Sequence, residues 1–262
     1  MKIYDMAWTE IANIDFSRSI LFIPIAPVEE HGPHLPTGVD CLTAEEACRR
    51  CDASLEELTG LKPFVFPLIP LGSAPETADF PGTISLPEKL LTSLVQQTLL
   101  QASRWGFRYC VVVSPHGSPS HLASIHAAIR SAEAQGTIQG AEPFARWIYS
   151  RPTKNGSIPD IHAGQYETSL MLALHPQLVK TTLLPNLLPC SIRDMRGPGT
   201  WKSKGALDGY LGSPAEATFE LGEKALPFFH LWIEAAKELH KGIRNNLPPF
   251  LEAKVQMILS EM

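Results

Sequence analysis

Residues 21–28 read Leu21-Phe22-Ile23-Pro24-Ile25-Ala26-Pro27-Val28, a continuous apolar run that stops in a proline-containing turn. A short run without polar alternation predicts a strand buried on both faces, the kind found inside a parallel sheet. Outward from it, helical spacing runs from about Thr43 to Leu58. Phe64 to Leu71 is a second apolar run, in which Pro67 and Pro70 predict a strand that ends early or lies at an edge, because proline has no N–H for a ladder. Pro87 sits near the first turn of a helix reaching about Trp105, where its missing donor costs little. Tyr109 to Val113 is a third strand pattern, broken by Pro115-His116-Gly117, and helical spacing resumes from His121 to Gln135. Ala141 to Tyr149 reads as a further strand and Glu167 to Leu174 as a helix. Pro214 to Asn245 reads as a long helical tract with breaks at Gly222 and Pro227.

This alternation predicts a single α/β domain over residues 1–262, with a mostly parallel central sheet and helices on both faces. Ligands of such sheets bind at the carboxyl ends of the strands. The segments that follow the three strands, Glu29 to Asp40, Ser73 to Thr83 and Ser114 to Ser118, are therefore expected to converge.

Composition narrows the partners. With 262 residues, 44% hydrophobic and 19% charged, the chain is of ordinary globular make-up. A formal charge of -5, with lysines and arginines scattered, carries no footprint for nucleic acid. Of Cys41, Cys48, Cys51, Cys110 and Cys190, only Cys48 and Cys51 stand at Cys-x-x-Cys spacing. No second pair completes a zinc finger, so reduced thiols are expected. Met1 to Asp5 has no signal-peptide apolar stretch, and no apolar run reaches the roughly 18 residues of a membrane span. The expectation is a cytoplasmic protein with neither a nucleic-acid nor a membrane partner.

The densest chemistry lies just after the first strand: Glu29-Glu30-His31-Gly32-Pro33-His34-Leu35-Pro36-Thr37-Gly38-Val39-Asp40. Imidazole nitrogens and carboxylate oxygens together suit zinc, manganese or iron, and a carboxylate can bridge two such ions. In an extended segment, residues two apart point the same way, so Glu29 and His31 can face one cavity while Glu30 points away, to solvent or to a partner that supports the ligands. Spacing alone favours solvated loop acids and histidines over a metal site.

The pattern Glu-x-His-Gly-Pro-His-Leu-Pro with Asp nine residues after the His resembles the signature of the creatininase (creatinine amidohydrolase) family. Four further blocks resemble that family in the same order: Phe80-Pro81-Gly82-Thr83, His116-Gly117, His162-Ala163-Gly164-Gln165-Tyr166-Glu167-Thr168-Ser169, and Gly209-Tyr210-Leu211-Gly212-Ser213-Pro214. The resemblance implies a dinuclear centre of two divalent metal ions (Zn, Mn or Fe). Glu29 and His31 would bind separate ions, Asp40 would bridge them, and His116 would be a further ligand. His162 would be the proton-transfer residue, and Glu167 would ligate metal or orient a ligand, acting beside His162 in catalysis. The implied chemistry is hydrolysis of a C–N bond in a small amide by water whose pKa the metal lowers to about 7. A homo-oligomer, possibly a hexamer, is implied as well.

Two departures shape the expected substrate. Creatininase has a metal-binding glutamate two residues after the His of the third loop, where this chain has Ser118; either Glu167 completes the second ion's site or that site is weak. Creatininase also carries a Trp-Asp pair just before its active-site His, where this chain reads Ile158-Pro159-Asp160-Ile161-His162. A cyclic amide other than creatinine, or a formamide, is the expected substrate. The altered third loop motivates a competing reading, a binding or regulatory protein on the same fold. A serine hydrolase built on Ser118 lacks the Gly-x-Ser-x-Gly elbow, and no nucleotide-binding glycine motif is present. His34 reads as a substrate contact or a loop-fixing hydrogen bonder. His121, His126, His175, His230 and His240 read as packed or solvated residues, and Trp147 and Trp201 as packing residues in preference to aromatic walls for a substrate.

Overall fold

A computed structural model describes residues 1–150, 159–195 and 197–262. Helix α1 (Trp8–Ala12) leads into strand β1 (Ser19–Pro24), followed by α2 (Val39–Thr59), β2 (Lys62–Val65), α3 (Glu88–Trp105), β3 (Tyr109–Val113) and α4 (Pro119–Gln135). Then come β4 (Gln139–Ala141), α5 (Phe144–Tyr149), α6 (Gln165–Leu174), α7 (Phe219–Ala225), α8 (His230–His240) and α9 (Pro249–Ser260). The strands form one sheet of order β2-β1-β3-β4, every neighbouring pair parallel.

Alternation along β1 explains the two-sided burial. Ile20 and Phe22 join Val111 and Val113 of β3 in a core closed by Cys48 and Cys51 of α2, Trp232 of α8 and Val255 of α9. Leu21 and Ile23 join Cys110 and Val112 on the opposite face, against Leu91, Val95 and Leu99 of α3 and Ile125 and Ile129 of α4. Truncating Phe22, which is wholly buried, to Ala would cost about 3–5 kcal/mol. All five cysteines are free, and Cys48 and Cys51 face the core as apolar packing.

The β2 run is an edge strand, as its prolines predict: Pro63 lies within it, in register with Ile20, and the ladder ends at Val65. Three readings need correction. Residues 141–149 are not one strand; β4 stops at Ala141 because Glu142 turns its carboxylate onto the Phe144 and Ala145 N–H groups, at 2.7 and 3.1 Å, and starts α5. Gly222 does not break the tract after Pro214. It lies inside α7, where a Cβ would stand 2.0 Å from the Ser169 carbonyl oxygen, so glycine there permits close packing on α6. Helix α9 lies beyond the predicted tract. Pro227, by contrast, marks a 3-10 turn between α7 and α8.

The order β2-β1-β3-β4 places the chain's reversal between β1 and β3. From β1 the chain moves outward through α2 to β2, then crosses back through α3 to the other side. The loops leaving β1 and β3 therefore diverge above the sheet and leave a crevice at its carboxyl edge. Among the described residues, no helix is long and apolar enough to cross a membrane.

Candidate metal centre

The loop after β1 carries Glu29, His31 and, at the first turn of α2, Asp40; the loop after β3 carries His116; the segment before α6 carries His162; and α6 carries Glu167 in its first turn. All six come together in the crevice. Their ligand atoms form three overlapping groups, Glu29 with Asp40 and His116, His31 with Asp40 and Glu167, and Glu29 with His31 and His162, each within 4.8 Å.

Hydrogen bonds fix the direction in which each ring points. The Nδ1–H of His31 donates to the Glu29 carbonyl at 3.0 Å, which leaves the Nε2 lone pair facing Asp40 Oδ1 at 3.7 Å and Glu167 Oε2 at 4.0 Å. On the other side, the Nε2–H of His116 donates to the Ser73 carbonyl at 3.1 Å. Its Nδ1 then faces Glu29 Oε2 at 2.9 Å and Asp40 Oδ2 at 3.0 Å. Buried Glu29 Oε2 and His31 Nε2 have no hydrogen-bond partner. With the rings neutral, acceptors face acceptors in a buried site, which is costly unless a proton or a metal cation lies between them. Ligand atoms about 2 Å from one ion stand roughly 3–4 Å apart, and these separations fall in or close to that range. The donor set thus fits divalent zinc, manganese or iron.

Protonation follows the same geometry. Burial opposes a charged His31, but Asp40, Glu167 and Glu29 outweigh it and push its pKa up to about 10. His116 is raised well above the usual imidazole value, burial being overcome by Glu29 and Asp40. Burial likewise opposes the charge on Glu29 and Asp40, yet the facing imidazoles hold both carboxyls below their ordinary range. Glu167 is raised, chiefly by burial. Burial also pushes His34 down to about 4, with His31 adding to the effect, so His34 is neutral. Its Nε2 contacts Thr168 Oγ1 at 2.8 Å, which favours the loop-fixing role.

The remaining family-like blocks act as supports. Leu211 pairs with His162 through backbone hydrogen bonds, and a Cβ on Gly209 would collide with Glu30 Oε2. Thr83 Oγ1 accepts from the Glu30 N–H at 3.0 Å, tying the Phe80–Thr83 turn to the ligand loop. Ala163 holds a positive φ of 47° next to His162 and donates its N–H to Glu167. A non-glycine residue in that region is strained and held only by its surroundings. Glu30 is buried rather than solvated: its carbonyl accepts the Nε2–H of His162 at 2.8 Å.

Ser118 does not face the cluster's ligand atoms; its hydroxyl donates to Glu76 at 3.2 Å. Ile158 lies outside the described residues. Trp201 lies tilted against the His162 ring, with centroids 4.8 Å apart, so its packing is on a residue of the cluster. Two contributors escaped the sequence reading. Thr77 donates to Glu29 Oε1 at 2.5 Å, and Ser73 offers the carbonyl that orients His116. Both lie in the loop after β2, so their position at a strand's carboxyl end was the available signal.

The creatinine amidohydrolase family model matches residues 4–236. The mycofactocin precursor peptide peptidase of Mycobacterium tuberculosis (strain CDC 1551 / Oshkosh) is 32% identical over 216 residues, covering 78% of each chain. Creatinine amidohydrolase of Pseudomonas putida is 25% identical over 264 residues, covering 94% of this chain and 96% of that one. A solved creatininase superposes with a TM-score of 0.70 at 23% identity, covering 94% of this chain and 98% of that one. A manganese creatininase gives 0.70 as well, at 23% identity and covering 93% and 99%. With the family pattern extending over nearly the whole chain and the same fold beneath it, this protein belongs to the creatininase family.

Proposed function

We propose that the protein is a dinuclear metal-dependent hydrolase that cleaves an amide C–N bond. The observation that carries this reading is the pair of facing acceptor sets joined by Asp40, whose Oδ1 lies toward His31 and Oδ2 toward His116. One set would comprise His31, Asp40 and Glu167 and the other Glu29, Asp40 and His116. When bound, two divalent ions supply an activated water and a Lewis acid for the carbonyl.

The chain's own groups do the rest. Thr77 and the Glu29 backbone hold the first loop's ligands in place. Glu30 anchors the Nε2–H of His162, so Nδ1 is the ring atom left to move a proton to the leaving nitrogen. Trp201 covers that ring. Burial of the whole set strengthens each charge interaction relative to water. Glu167 as the third group on the His31 side stands in for the acid that Ser118 replaces.

Manganese and zinc are the first ions to test, since similar solved structures include a manganese creatininase and a mutant creatininase of Zn-Zn type. A cyclic amide or formamide is the first substrate class. A peptide amide is the second, favoured by the 32% identity to a peptide peptidase. The homo-oligomer belongs to the same proposal and is checked by light scattering. Elemental mass spectrometry of protein purified without chelator, followed by amide hydrolysis assays over these classes, tests the function. About two ions per chain with chelator-sensitive turnover supports it; metal-free protein that takes up no added ion moves the reading to a binding protein.

A further inference from the structure

His121 lies in the first turn of α4, wholly buried, and both of its ring nitrogens are engaged. The Ser73 N–H donates to Nδ1 at 3.2 Å. With Nδ1 accepting, the proton sits on Nε2, which donates to Ser114 Oγ at 2.9 Å. One imidazole thus joins the loop after β2 to the loop after β3. Its ring also meets His116 edge-on, with centroids 5.1 Å apart.

The connection continues through a single residue. The N–H of Ser73 is held by His121, and the carbonyl of Ser73 accepts the Nε2–H of His116. With Nε2–H held by that second bond, Nδ1 is the nitrogen that gives up its proton when an ion binds, and it already faces Glu29 and Asp40. A histidine ligand needs its far N–H fixed in this way to set its tautomer and ring orientation. Gly72 shows how closely the site is fitted: a Cβ there would stand 2.7 Å from His121 Nδ1. Gly72 has no positive φ to call for glycine; room for the imidazole and for the Pro27 ring, whose Cδ would be equally close at 2.7 Å, accounts for its identity.

We propose that His121 is a positioning residue for the metal-binding nitrogen of His116, acting through the Ser73 peptide. The inference rests on the metal-centre reading above. Without the His121 acceptor, the buried Ser73 N–H has no partner in this arrangement, the peptide turns to find one, and its carbonyl leaves His116.

The test is competition titration of metal-free protein with Zn²⁺ or Mn²⁺ against a chelating fluorophore. The variants are His121→Phe, which keeps bulk without an acceptor, and His121→Asn, whose amide oxygen takes the place of Nδ1. We expect His121→Phe to weaken one of two equivalents by roughly 10–100-fold and to leave the other near wild type. His121→Asn restores the lost affinity to within about threefold. Two equivalents bound by His121→Phe with wild-type affinity would overturn the inference. Equal loss in His121→Asn would overturn it too, by showing that an acceptor at this position does not hold the Ser73 peptide. Should circular dichroism show His121→Phe unfolded, His121→Leu, which matches the size of Asn but offers no acceptor, takes its place, and its wild-type affinity for both equivalents would be the refuting result. Wild-type protein that binds no ion refutes the metal-centre reading itself, and this inference falls with it.

Discussion

Asp40 Oδ2 stands 3.0 Å from His116 Nδ1, while its other oxygen is turned toward His31 at 3.7 Å. One carboxylate therefore belongs to both acceptor sets. Asp40→Asn keeps the size and removes the charge from both. We expect it to lower affinity for both ions by more than the 10–100-fold typical of losing an outer hydrogen bond, with turnover lost in parallel. Two ions retained per chain, measured by elemental mass spectrometry, would refute the bridging role.

His162 separates from the ligands in a second way. His162→Ala should bind two ions with unchanged stoichiometry while kcat falls by about 10²–10⁴. Unaltered kcat would remove His162 from the proton-transfer step, and lost metal would make it a ligand.

Metal loading should expel protons. In the metal-free chain His31 is raised to about 10 and His116 is raised well above its usual value, so both are charged at neutral pH. An ion requires each to be neutral, so loading at pH 7 releases about two protons per chain, seen as a buffer-dependent heat in calorimetry. Heats identical in Tris and phosphate would contradict this.

The stability of the metal-free protein carries the opposite signature on each flank. The raised imidazoles contribute stability that is complete below their unfolded value near 6.5 and is lost as pH climbs toward about 10 for His31. The lowered carboxyls of Glu29 and Asp40 contribute above about 4.5 and lose it as pH falls further. Metal-free protein should therefore be most stable between about pH 4.5 and 6.5, and added metal should shift that optimum upward. A denaturant midpoint that is flat from pH 5 to 9 in the metal-free form would count against the charged cluster.

Packing makes a prediction independent of the site. Gly222→Ala pushes a methyl group into the Ser169 carbonyl and should destabilise the chain by about 1–3 kcal/mol. An unchanged urea midpoint would mean that α6 and α7 separate freely.

Local patterns carried the fold far. Doubly buried strands announce themselves as unbroken apolar runs, so β1 and β3 were legible, and Pro67 with Pro70 announced the short edge strand. Residues 141–149 were not legible, because a three-residue strand and a helix begun by the Glu142 carboxylate share one apolar pattern. Gly222 was read as a breaker because its reason for being glycine sits on another helix.

By itself the sequence determined which residues are candidates for the chemistry, Glu29, His31, Asp40, His116, His162 and Glu167, since acids and imidazoles clustered at strand ends are few and their order is a family pattern. Only the tertiary structure decided which of their atoms face one another. Ring orientation depends on the carbonyls of Glu29, Glu30 and Ser73, and a backbone carbonyl has no signature in sequence. His121 shows the same division. Helical spacing places it among ordinary packed residues, and the role proposed for it arises only where two loops from different strands meet its two nitrogens.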